Sequence, residues 1–404
     1  MKGAVVNGRD VPPSAASQPG AVREAENLSP QQLLAVYRTM LLSRKLDDKE
    51  VQLKHQSHIF FQISGAGHEA IQVAAALALK PSYDWFYPYY RDRALCLQLG
   101  VTPLEMLLAA VGSSSDPSSS GRQMPSHWGD AALNIVSGSS PTGTQVLHAV
   151  GAGDASLVYS RVEAIADRAQ HFHADEVVFT SLGEGATSEG EFWEALSWTC
   201  LRQLPVLFLI EDNGYAISVP VDVQTPSGDI SRVLDGFPGL RTFRCDGTDY
   251  LASYRTLREA AQHVRDRKGP ALVHATVTRP YSHSFSDDEK LYKTPGEREA
   301  EARRDPLVRM RQLLLVHELA TEDDLAGILA DVEREVRTAS EEALRAPQPE
   351  PETAALYVYS PDVDPTSSRF SSEPKPQGKP DTMVAAINVG KGKTMYKEPE
   401  SGGI

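Results

Sequence analysis

The chain has 404 residues, 41% hydrophobic and 23% charged, enough for a sizeable core in one large domain with extensions or in two domains. Forty basic against 54 acidic side chains give a net charge of −14, which excludes a general nucleic-acid binder, and no basic run offsets it. Cys96, Cys200 and Cys245 lack paired spacing, and no apolar run reaches membrane-spanning length, so a reducing, cytoplasmic setting with no membrane partner is expected.

Residues 1–28, rich in Pro, Ser and Gly, read as a flexible N-terminal arm. From Leu28 the pattern turns helical: Ser29 can cap, Pro30 suits the first helical position, and Leu33, Leu34, Tyr37, Met40 and Leu41 recur at helical spacing. The small-residue segment 67–79 predicts a second, buried helix, and 113–121 reads as a Ser-rich loop. A long helical stretch covers 145–172. An apolar strand follows at 176–182, then a helix over 189–203 whose start carries a capping-box pattern, Ser188 with Glu191. Further strands are expected at 206–210, 240–247 and 271–278, with a helix closed by Gly269 between the last two. Almost wholly apolar strands alternating with helices define an α/β fold, a parallel sheet covered by helices on both faces. Charged helices fill 297–345, which sets the domain at 29–345; residues 346–404 form a Pro-rich linker or tail.

The segment GEGATSEGEFWEAL opens with Glu184 between Gly183 and Gly185, just past one strand; EDNGYAIS, with Asn213, lies just past the next. A tight strand-to-helix turn with an incidental acid is the plain alternative for the first, and a common Asn-Gly turn for the second. If the two strands are neighbours, however, Glu184 and Asn213, 29 residues apart, emerge at one sheet edge, where α/β proteins gather ligands. A carboxylate and an amide oxygen make a hard shell suited to Mg²⁺, which keeps positions for water and phosphate oxygens. A helix N-terminus beside them favours the phosphates. The pairing predicts a magnesium–diphosphate site.

This arrangement resembles the thiamine-diphosphate signature, and the surrounding segments resemble the E1 α subunits of 2-oxo-acid dehydrogenases. PYYRDRA, GRQMPSHWG, SGSSPTGTQ and RPYSHSFSDDEKLYK fall in family order over residues 30–340. The resemblance implies a transketolase-like, thiamine-diphosphate-binding fold. It implies that Glu184, Asn213 and the Tyr215 carbonyl hold Mg²⁺, and that Tyr90 and Arg91 contact the diphosphate. It places Ser140 and Thr142 near the cofactor, with Gly183, Gly185, Ala186 and Ile217 lining it. Ser139, Pro141, Thr144 and Gln145 match a potassium site of branched-chain members. A lone histidine is usually structural, but by this match His283 is the active-site histidine, and Ser284 falls where mitochondrial members are phosphorylated.

The implied activity is oxidative decarboxylation of a branched-chain 2-oxo acid with acyl transfer to a lipoyl-bearing E2, by an α₂β₂ heterotetramer. The cofactor's activating glutamate comes from the β subunit in two-chain members, and no candidate for it occurs in this sequence. A pyruvate or acetoin dehydrogenase α chain and a non-catalytic assembly subunit remain as alternatives. Two positions depart from the pattern: Glu211 stands where some branched-chain members carry a phosphate-binding Arg, and Asp212 replaces the first Asn of the usual pair. The segment KPDTMVAAIN (379–388) resembles the start of a β subunit, as in a truncated α–β fusion.

Overall fold

The computed structural model describes residues 5–6, 9–10, 28–162, 172–360, 362–371 and 382–383. Most of the β-subunit-like segment, almost all of the N-terminal arm and part of the 145–172 stretch lie outside them. The chain divides into two units, Met1–Glu350 and Pro351–Ile404. Among described residues the second contains only the short 3₁₀ turns Pro351–Ala355 and Ser368–Phe370.

The first unit is built on five parallel strands: β1 (Trp85–Tyr87), β2 (Val178–Gly183), β3 (Val206–Asp212), β4 (Arg241–Asp246) and β5 (Ala271–Thr276), in spatial order β1-β2-β3-β5-β4. Side chains alternate between two cores, as the period of a strand requires. Val178, Val206, Phe208 and Ile210 join one, with α5 (Thr144–Arg161) and α6 (Gly190–Arg202). Phe179, Leu207, Leu209 and Val273 join the other, under α1 (Pro30–His55), α2 (Glu69–Ala78) and α7 (Tyr250–Arg265). Being covered twice explains why the central strands are mostly apolar on both faces, with polar residues such as Thr180, Glu211, Asp212 and His274 buried among them.

Helix α1 starts as its sequence predicts: Ser29 and Gln32 form a reciprocal capping box with Pro30 in the first turn. Helices α3 (Arg93–Leu99), α4 (Pro103–Ala110), α8 (Pro295–Arg303), α9 (Pro306–Val316) and α10 (Glu322–Arg345) also belong to the unit. The start of α6 differs from the sequence reading. Residues Glu184–Ser188 form a 3₁₀ turn, and α6 begins at Gly190 with Glu189 as an N-cap that makes no side-chain bond. The Ser188 hydroxyl instead accepts from Gln224 Nε2 at 3.1 Å, so the capping box does not form. Among described residues no helix is long and apolar enough to cross a membrane.

Candidate active site

Strands β2 and β3 are direct neighbours, in register from Val178 opposite Val206 to Gly183 opposite Glu211. Their carboxyl ends therefore deliver Glu184 and Asn213 to one edge. The Asn213 N–H donates to Glu184 Oε2 at 3.3 Å, across the 29 residues that separate them. Glu184 is buried, and its Oε1 has no hydrogen-bond partner among described residues. Burial pushes its carboxyl up to about 8, and the nearby Asp212 charge adds to this. A buried carboxylate oxygen without a donor is costly, and a cation is the natural remedy. Described residues contain no cluster of three His, Cys, Asp or Glu side chains suited to a metal. The donor set here is of another kind, one carboxylate with amide and carbonyl oxygens, which suits a hard cation.

The Asn213–Tyr215 turn is held at each N–H. Asn213 donates to Glu184, Gly214 to Asp212 Oδ1 at 2.9 Å and Tyr215 to Asn213 Oδ1 at 3.2 Å. Gly214 takes φ +86°, the left-handed region in which glycine is unstrained. Ile217, just beyond, adopts φ +55° although it carries a branched side chain, and its carbonyl accepts from Arg279 Nη2 at 2.9 Å. Such strain in a non-glycine residue points to a functional constraint.

The two glycines around Glu184 have different reasons. A Cβ on Gly183 would meet only Tyr89 Cε2 at 3.9 Å, so this backbone faces open space. A Cβ on Gly185 would lie 2.8 Å from Ala216 Cβ, so the chain itself excludes a side chain there. Both glycines line a cleft of about 440 Å³, with Glu184, Ala186, Asn213, Tyr215 and Ile217. The same cleft collects Tyr90, Arg91, Ser139, Ser140, Pro141, Thr142, Gln145 and His283 from distant segments. Thr144 is not among its lining residues and opens α5 instead, while Gln145 Nε2 donates to Ser181 O at 3.0 Å.

Across the cleft, Arg91 is buried and reaches His283. Its Nη2 lies 2.9 Å from His283 Nδ1, and its Nη1 donates to Ser64 O at 2.6 Å and to His283 O at 3.3 Å. Guanidinium has no acceptor, so His283 Nδ1 must accept, and the ring's proton sits on Nε2. Burial first, then the Arg91 and Arg279 charges, lower His283 to about 3, so it is neutral near pH 7. Asp287 braces the loop by accepting from His283 N at 2.8 Å and from Tyr292 OH at 2.5 Å. Arg279 is fully buried, and its Nε and Nη1 have no partner among described residues. A cation bearing unsatisfied donors near Glu184 and His283 suits an anionic ligand.

Sequence reasoning missed the polar layer behind the cleft. His68 Nδ1 lies 2.6 Å from Glu211 Oε2, which also accepts from Gln72 Nε2 at 2.9 Å. Glu211 is therefore spent in the interior. Burial and the Glu211 charge raise the neighbouring Asp92 carboxyl far above its usual range. His127 Nε2, opposite Ser140 Oγ at 3.0 Å, is a further cleft residue that sequence reasoning missed, although it lies inside the family-like segment GRQMPSHWG.

Fold and cleft together define a parallel α/β protein with a polar cleft at the carboxyl ends of adjacent strands, lined by a buried carboxylate and by backbone open to a ligand. The chain belongs to the dehydrogenase E1 component family, whose model matches residues 37–352, and so has the thiamine-diphosphate-binding fold of that family. It is 36% identical over 337 residues to the 2-oxoisovalerate dehydrogenase subunit alpha of Bacillus subtilis, covering 83% of this chain and 98% of that one. It is 34% identical over 297 residues to the 3-methyl-2-oxobutanoate dehydrogenase subunit alpha of Mycobacterium tuberculosis, covering 73% of this chain and 74% of that one. The human mitochondrial 2-oxoisovalerate dehydrogenase subunit alpha is 30% identical over 337 residues, 83% of this chain and 72% of the relative.

Proposed function

We propose that this chain is the E1 α subunit of a branched-chain 2-oxo-acid dehydrogenase, working in the cytoplasm with a β subunit as α₂β₂ and passing acyl groups to a lipoyl-bearing E2. The observation that carries the reading is the buried Glu184 carboxylate, one oxygen without a partner among described residues, joined to the Asn213 backbone where β2 and β3 end. The names of the similar bacterial and human chains support the branched-chain substrate class.

Thiamine diphosphate, when bound, supplies the electron sink by which a 2-oxo acid loses carbon dioxide. This chain's residues bind and orient it. Glu184, the Asn213 amide oxygen and the Tyr215 carbonyl hold Mg²⁺, and Gly183 leaves the backbone open to phosphate oxygens. Tyr90 and Arg91 face the diphosphate; Ser140, Thr142, Gly185, Ala186 and Ile217 line the remainder. His283 keeps its Nε2 proton as a donor toward phosphate or the reacting oxygen. K⁺ would use Ser139, Pro141, Thr144 and Gln145 to order the loop before α5.

The test is decarboxylation of 3-methyl-2-oxobutanoate and of pyruvate by the chain assembled with a β subunit, alongside calorimetric titration of thiamine diphosphate with Mg²⁺. The branched substrate is expected to react faster, and Glu184→Ala is expected to lose cofactor binding. Wild-type binding by that variant overturns the metal assignment, and turnover of neither acid favours a non-catalytic subunit.

A further inference from the structure

His274 lies in the middle of β5, opposite Ile210 of β3, with its side chain buried. Its Nε2 is 2.8 Å from Asp212 Oδ2. On the other side its Nδ1 is 2.9 Å from Ser231 Oγ and 3.3 Å from Asp229 Oδ1. The proton positions follow from the partners. Ser231 Oγ lies 2.6 Å from Asp229 Oδ1, a carboxylate oxygen that can only accept, so the hydroxyl proton is spent there. His274 Nδ1 must then donate to Ser231, and Nε2 must donate to Asp212. Both ring nitrogens carry protons, and the carboxylates at either end raise the imidazole to about 9.

Asp212 uses its two oxygens differently. Oδ2 takes the His274 proton, while Oδ1 reaches over Asn213 to accept from the Gly214 N–H at 2.9 Å. Its carbonyl accepts from Val277 N at 2.8 Å, which ties the end of β3 to the residue after β5. One carboxylate therefore clamps the turn on both sides of Asn213, and the histidine fixes that carboxylate's rotation.

We propose that His274 is a positioning residue for the cation site: through Asp212 it sets the Asn213–Tyr215 turn that closes the site against Glu184. The proposal rests on the magnesium reading above. It also explains why an acid stands at position 212. With a histidine proton on one side and a backbone N–H on the other, a carboxylate satisfies both donors. An amide could accept from Gly214 but would turn its own N–H₂ toward the His274 N–H. Removing His274 alone takes from buried Asp212 the cation at its Oδ2, the costly way to break such a pair, whereas the partly exposed Asp229 keeps Arg232 at 3.4 Å.

The experiment uses the full chain assembled with a β subunit, saturated with thiamine diphosphate and titrated with Mg²⁺ by calorimetry well below the melting temperature. Loss of an orienting partner typically weakens metal binding by roughly ten- to hundredfold. His274→Gln and Asp212→Asn are each expected to raise the Mg²⁺ Kd by at least about tenfold on that basis. The double variant, in which two amides can pair, is expected to recover most of the loss. A purely structural role would lower the melting temperature and leave the Mg²⁺ Kd unmoved. Single variants within about twofold of the wild-type Kd, or a double variant no better than the worse single, overturn the proposal. Should His274→Gln fail to fold, Asp229→Asn loosens the imidazole from its partly exposed side, and an unchanged Kd there overturns it equally. Glu184→Gln separates the two readings. If it keeps wild-type Mg²⁺ affinity, the metal assignment falls and takes this proposal with it; if it loses affinity while His274→Gln does not, only the positioning role fails.

Discussion

At the scale of single residues, the His283 protonation state follows from one contact. Arg91 can only donate, so it fixes the tautomer, and its charge joins burial and Arg279 in keeping the ring neutral. Replacing Arg91 with Gln keeps a donor within reach and removes the charge. His283 should then titrate above its present value of about 3 while staying below the ordinary histidine range, because burial and Arg279 persist. Histidine proton NMR against pH reads this directly, and the acid limb of kcat/KM should move to higher pH with it. An unmoved His283 titration would mean that burial and Arg279 set the pKa without Arg91. Arg91 and His283 are 192 residues apart in sequence, so only the family-like segments around each connected them beforehand.

At the scale of elements, the turn after β2 is shaped by crowding. Gly185 does not occupy the left-handed region, so an alanine there meets no dihedral penalty. It meets Ala216 Cβ at 2.8 Å, within the hairpin that Tyr215–Ala216 makes with Val219–Pro220. Gly185→Ala should cost about 1–3 kcal/mol, as inserting a methyl group into packed structure does. Ala216→Gly in the same chain should return most of it, and urea denaturation of the four members of the cycle measures the coupling. Additive effects would place the strain elsewhere. The neighbouring elements show what a sequence exposes. The start of α1 and the doubly covered strands were legible because their signals are local: a capping box, a proline, an unbroken apolar run. Strand β1 was not, since three residues are too few for a period to register. The pattern at Ser188 misled because Gln224, 36 residues onward, takes that hydroxyl and a 3₁₀ turn occupies the place of the first helical turn. Glu184 and Asn213 were paired in advance by strand adjacency, whereas the His68–Glu211 and His274–Asp212 contacts span 143 and 62 residues with no local trace.

At the scale of the whole molecule, buried ionisable groups set the pH at which the fold is most stable. His274 is raised from 6.5 to about 9, so its contribution is complete below 6.5 and is lost as pH rises through 9. At full extent that is on the order of 3 kcal/mol. Glu69, the first residue of α2, is paired with Arg44 and raised by burial from 4.5 to about 7. A raised carboxyl favours the folded chain at low pH, and this advantage also drains away between those two values. Asp246 acts in the opposite sense. The Arg309 and Arg304 guanidinium groups outweigh its burial and hold its pKa below the usual 3.8, so its contribution is present above that value and is lost as pH falls further. Glu69 declines from 4.5 and His274 from 6.5, and Glu184, raised to about 8, declines from 4.5 as well; His283, lowered to about 3, acts against them only until 6.5, so the sum falls on the alkaline side of about 5.5. Urea midpoints measured in the absence of cofactor and Mg²⁺ should therefore fall from pH 5.5 to pH 9. His274→Gln should flatten the upper part of that decline, between pH 6.5 and 9, while leaving the drop below pH 4 in place. A midpoint that climbs from pH 5.5 to 9 would show that exposed charge, at a net −14, and not these buried groups, governs the pH response of the fold.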